Sequence, residues 1–149
     1  MTYKTFSSAQ EIFDHVVPLL FAQGKRSMYP DVNGEPTCAY RGGEAGELRC
    51  AVGFIIPDEL YTPSLESECV SNPAVKSVLK NVITPPLDPD GMGICQFLAD
   101  LQDVHDGWIC DGVDGNTAHF NLYNDLLGLA DAYELDETVL YTFNPNNTQ

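Results

Sequence analysis

Residues 94–105 constrain the chain most tightly. Ile94, Phe97, Leu98, Leu101 and Val104 stand at i, i+3, i+4, i+7 and i+10, a spacing that lines one face of an α-helix and fits no strand. The same period recurs in three other segments. From about Ser8 to Gln23, Ile12, Phe13, Val16, Leu19 and Leu20 share a face. Ser8 and Glu11 have the spacing of a capping box, and Gly24 is a natural stop. Lys25 and Arg26 beyond it suit the negative end of the helix dipole. Pro18 removes the hydrogen bond to Asp14, which predicts a bend or a later start. A further helix is expected from Pro73, capped by Asn72, to about Ile83, with Val75, Val78, Leu79 and Val82 inward. The last runs from about Thr117 to Tyr133 and should bury Phe120, Leu122, Tyr123, Leu126, Leu127, Leu129 and Ala130.

The stretches between these helices are rich in Pro and Gly. Asn33-Gly34 and Gly42-Gly43 mark turns. Thr37–Arg41 reads as a short strand with Glu47–Cys50 as its partner, and Ala51–Ile56 either extends that strand or opens a short helix before Pro57. Pro57–Tyr61 resembles one helical turn, and residues 84–93 a stiff loop. At 149 residues, 44% of them apolar, the chain has enough material for one core. The expected fold is therefore α+β: a mainly helical single domain of about four helices, with a small β-hairpin element between helices 1 and 2. It should occupy residues 1–143, leaving 144–149 as a frayed tail.

Charge is distributed unevenly. All seven Lys and Arg lie in residues 1–80, where ten acids leave a net −3, while residues 81–149 hold twelve acids and no base, a net −12. A total of −15 argues against direct nucleic-acid binding and against docking on an anionic membrane. Solubility alone would account for such a charge. The functional alternative is an acidic surface for a basic protein partner, such as a nucleic-acid-binding host or defence enzyme. Asp100, Asp103, Asp106, Asp111 and Asp114 would then steer the encounter, with Trp108 as the aromatic anchor in a Gly- and Asp-rich insertion. This reading requires no cofactor.

Five cysteines, odd in number and without CxxC spacing, argue against a secreted disulfide framework. With no basic-then-apolar leader in the first thirty residues, a reduced, cytoplasmic setting is expected. Cys38, Cys50, His105 and Asp106 carry the donor types of a zinc site, although Cys-x11-Cys is looser than the common zinc spacings. The competing reading is a packed thiol pair and a helix-end histidine. Cys50 would also serve as a nucleophile if a helix dipole lowered its pKa and His105 acted as base, the arrangement of a small thiol hydrolase. DPDG at 88–91 and DGVDGN at 111–116 lack the acids an EF-hand needs and read as ordinary turns. No P-loop, GxSxG, HExxH or GxGxxG is present.

The run CAYRGGEAGELRCAVGFIIPDELY at 38–61, followed by FLADLQDVHD at 97–106, resembles a family of small uncharacterised proteins of bacteriophages and bacteria. That family's order is an opening helix ending like AQGKRS, a Cys-x-Tyr-Arg turn, Cys-Ala-Val-Gly-x-x-Ile, an LQxxHD helix end and a final LxxLAxxYxL helix. Here the last piece is Leu126, Leu129, Ala130, Tyr133 and Leu135. The resemblance implies a phage origin, hence a regulator or inhibitor of a host or defence protein, and supplies no mechanism.

Overall fold

Ser8 opens the first helix, α1 (Ala9–Gln23), its side chain accepting the Glu11 N–H. The Glu11 carboxylate reaches back to the N–H and hydroxyl of Ser7 rather than to Ser8, so the box closes one residue early. Gly24, with φ +72°, ends the helix by donating to Leu20 O. The helix runs on through Pro18 without a break, burying Ile12, Phe13, Val16, Val17 and Leu20. The computed structural model describes residues 3–30, 33–85 and 93–147.

The hairpin follows α1, as expected, but with different strands. β1 (Met28–Pro30) pairs antiparallel with β2 (Pro36–Cys38), Met28 opposite Cys38 and Tyr29 opposite Thr37. The turn is therefore the one at Asn33-Gly34, where Gly34 takes φ +81°, the conformation that suits a tight hairpin turn. Glu47–Cys50 is not its partner; the Gly42-Gly43 turn yields only one bridge, Gly42 to Leu48. Residues 52–54 form a single 3-10 turn rather than a strand, and Tyr61 N–H closes a helical turn onto Pro57 O. Gly53 lies so close to Tyr40 that an added Cβ would stand 2.5 Å from its carbonyl oxygen.

α2 (Pro73–Leu79) stops short of Ile83 because Phe6 competes for the backbone beyond it: Phe6 N–H donates to Val82 O and Thr84 N–H to Phe6 O. α3 (Ile94–Asp106) matches its sequence period and buries Phe97, Leu98, Leu101 and His105. α4 (Gly115–Ala132) starts two residues earlier than expected, because Asp114 caps it through the Thr117 N–H. A short α5 (Thr138–Tyr141) buries Leu140. Pro145–Asn147, where fraying is expected, form a 3-10 turn, and Phe143 just before it stacks on Phe21. Phe120, expected in the core, is 53% exposed. One apolar core joins α1, the 3-10 turn at 52–54, α3 and α4. The DPDG turn and most of the 84–93 loop lie outside the described residues. No helix among the described residues is long and apolar enough to cross a membrane.

Candidate functional site

His105 lies on the buried face of α3, a turn beyond Leu101, and is completely enclosed. Its Nε2 accepts the backbone N–H of Ser27 at 2.9 Å, so the ring proton must sit on Nδ1, which donates to Asp106 Oδ1 at 2.8 Å. Asp106 Oδ1 also accepts from Gln102 Nε2 at 2.7 Å, and Gln102 Oε1 in turn accepts the Val52 N–H. Ser27 closes the network on the other side: its hydroxyl donates to Ala39 O at 2.7 Å and its carbonyl accepts the Ala39 N–H. The buried histidine thus bolts the start of the hairpin to the end of α3. The adjacent residues His105 and Asp106 thus meet at the helix end.

Cys38, His105 and Asp106 bring one ligand atom each within 4.8 Å of one another. The donor chemistry nevertheless opposes a metal. Nε2 of His105 is occupied by an amide, and Nδ1 carries a proton. Burial first, then the neighbouring Asp106 carboxylate, pushes the Cys38 thiol up to about 12, and its Sγ donates to Met28 Sδ at 3.6 Å. Burial also pushes the Asp106 carboxyl up, but hydrogen bonds from His105, Cys38 and Gln102 outweigh this and hold it below its ordinary value. The cluster is satisfied as a hydrogen-bonded junction.

Cys50 takes no part in that cluster. It is 1% exposed, its Sγ accepts the Gly53 N–H at 3.3 Å, and burial pushes its thiol up to about 12. The activation expected from a helix dipole is reduced to one amide of a 3-10 turn, and desolvation overrides it. With no lone pair left on His105, the Cys–His pair is not assembled. The thiol that is pulled below its ordinary value is the exposed Cys69, hydrogen-bonded to Ser71 Oγ at 2.8 Å. Only the adjacent Ser71-Asn72 pair just after it hinted at this in the sequence.

The expected interface residues separate into several roles. Trp108 is a core residue, 2% exposed, its Nε1–H donating to Ala118 O at 2.9 Å; the insertion folds inward at this point and the anchor assignment is corrected. Asp114 caps α4. Asp106 belongs to the histidine junction. Asp111 is exposed and paired with Arg26. Asp100 accepts from Tyr133 Oη and from Gln96. Asp103 is exposed, and with Asp100, Asp125, Gly107 and Gly128 it lines an open groove of about 430 Å³ between α3 and α4. Burial alone pushes the Asp125 carboxyl up. The large exposed apolar side chains near the insertion are Ile109, 61% exposed, Phe120 and Val113.

The arginines are turned inward, while Lys4, Lys25 and Lys80 stand exposed. Arg41, its side chain 7% exposed, donates to the carbonyls of Tyr40, Gly53 and Ile56 and reaches Asp58. Arg49 braces Gly46 and Leu48, and Arg26 donates to Asp106 O besides Asp111. All three arginines brace backbone carbonyls, so the exposed cations are lysines, outnumbered by the exposed acids. Comparison with protein-family models, curated proteins and solved structures yields no match.

Proposed function

We propose that this chain is a non-enzymatic acidic binding protein, a phage-encoded regulator or inhibitor that holds a basic host or defence protein such as a nucleic-acid-binding enzyme. One observation carries the reading. The three arginines are consumed as internal braces, while Asp100, Asp103 and Asp125 line an open groove between α3 and α4. Asp125 is partly desolvated with no described cation to compensate it, a situation that an incoming Lys or Arg relieves. Asn121 Nδ2 holds the Ile109 carbonyl at 3.0 Å, which sets exposed Ile109 beside the α4 turn that carries Phe120. That apolar pair replaces Trp108 as the candidate anchor flanking the acids.

The test is capture from host lysate by the wild-type chain and by an Asp103→Asn/Asp125→Asn variant, at low and high salt. Both positions are exposed, so the variant keeps its fold. A stoichiometric basic partner held by the wild type and lost from the variant and at high salt supports the reading. A partner retained equally by both contradicts it.

A further inference from the structure

The hairpin has one covered edge and one open one. On β1, Met28 O accepts the Gly43 N–H, and a Cβ on Gly42 would stand 2.6 Å from Met28 N, so the Gly42-Gly43 turn lies along this strand. On β2 the ladder uses Ala39 N–H, bonded to Ser27 O. Hydrogen-bonding residues alternate along an antiparallel strand, so Cys38 directs its own N–H and C=O away from β1. Among the described residues nothing bonds them. Further along the same edge, the Tyr40 and Arg41 N–H groups are taken by the two Glu66 carboxylate oxygens at 2.9 and 3.0 Å. Glu66 thus sits where a third strand would begin.

Segment 61–70 stands opposite this edge. Tyr61 Oη donates to Glu66, and Tyr40 Oη donates to Glu68 O. Between them Ser67 turns the chain at φ +68°. Two clefts meet at the gap, sharing Thr37, Cys38, Ala39 and Ser67. The one on the Cys38 side-chain face, about 360 Å³, presents Glu68, Asp103 and Asp106. The one on the other face, about 840 Å³, is walled by Tyr29, Pro30, Tyr61 and Pro63. An unpaired strand edge with an acidic cleft on one face and an apolar cleft on the other matches the period-two side chains of an added strand.

We infer that the open edge of β2 binds an extended peptide segment of a partner protein, adding it as a third strand, with basic side chains directed to the acidic cleft and apolar ones to the Tyr29–Tyr61 cleft. The inference takes its charge preference from the acidic-binding reading above and adds the segment's conformation and register. Residues directly opposite each other in a sheet share a face. With the segment added antiparallel, the partner residue whose N–H and C=O bond Cys38 is therefore the basic one.

That register gives a test that leaves the protein unaltered. Three capped seven-residue peptides alternating arginine and valine are titrated into the full chain: unmodified, N-methylated at every arginine, and N-methylated at every valine. The expected result is saturable binding of the unmodified and valine-methylated peptides, with the Cys38 amide protected from hydrogen exchange. Methylation at arginine, which removes the edge-facing donors, weakens binding on the order of tenfold or more. A glutamate–valine peptide does not bind. Equal affinity of the two methylated forms, binding of the glutamate peptide, or self-association of the chain through β2 in ultracentrifugation overturns the inference. If the peptides fail while Asp103→Asn/Asp125→Asn still releases the lysate partner, this inference falls alone.

Discussion

At the scale of single residues, the two kinds of cysteine set the chemistry that can be read out. Cys69 is exposed with its thiol pulled down by Ser71, whereas Cys50 is enclosed and pushed up to about 12. Limited alkylation at neutral pH should modify Cys69 first and Cys50 last, as followed by peptide mass spectrometry; preferential labelling of Cys50 would restore the nucleophile reading. Asp106 gives a pH signature. Its folded carboxyl lies below the ordinary 3.8, so between those two values the unfolded chain binds more protons. The contribution is complete above the ordinary value and is lost as pH falls through the folded one. Asp106→Asn should therefore flatten the loss of stability in acid, measured as the denaturation midpoint from pH 5 down to pH 2, on the scale of the carboxylate titration. An unchanged acid limb would remove Asp106 from the junction. Cys38, His105 and Asp106 were legible as a group in the sequence, because donor types stand out. The tautomer that disarms them was not, since it depends on the Ser27 amide, 78 positions from His105.

At the scale of elements, helices with a clean apolar period emerged where the spacing placed them. α1 and α3 match within a residue, and α1 carries its Ser8 cap and Gly24 stop. The departures share one cause, competition from distant chain. Phe6 pairs with Val82 and Thr84 at the expected end of α2, and Ser27 and Met28, not Glu47–Cys50, take the side of the 37–39 segment. The Asn33-Gly34 signal was present, but Gly42-Gly43 offered an equally good turn locally. The insertion after α3 shows the same effect. Its composition suggests a solvent loop, yet Trp108 folds under it to reach Ala118 O. Trp108→Ala should cost about 3–5 kcal/mol in chemical denaturation, the range for deleting a large buried aromatic, while Trp108→Phe should cost about 0.5–1.5 kcal/mol for the lost indole hydrogen bond, since Ala118 O keeps its place in the α4 ladder. A fully stable Trp108→Ala that loses partner binding would return Trp108 to the interface.

At the scale of the whole molecule, the account rests on where charge is spent. A net −15 opposes folding through self-repulsion, and the arginines that could relieve it are used to hold loops together. The sign asymmetry between the two parts of the chain was plain from the sequence. Which acids remain available was not, because it depends on Tyr133 taking Asp100, α4 taking Asp114 and Arg26 taking Asp111. Removal of the remaining exposed acids should alter binding and leave stability nearly untouched. The most direct measurement is the dissociation constant for the captured basic partner as a function of NaCl concentration, for wild type and for Asp103→Asn/Asp125→Asn. The account predicts binding that weakens steeply with salt in the wild type, with both affinity and salt slope reduced in the variant. Salt-independent binding, or the same slope in both proteins, would contradict it.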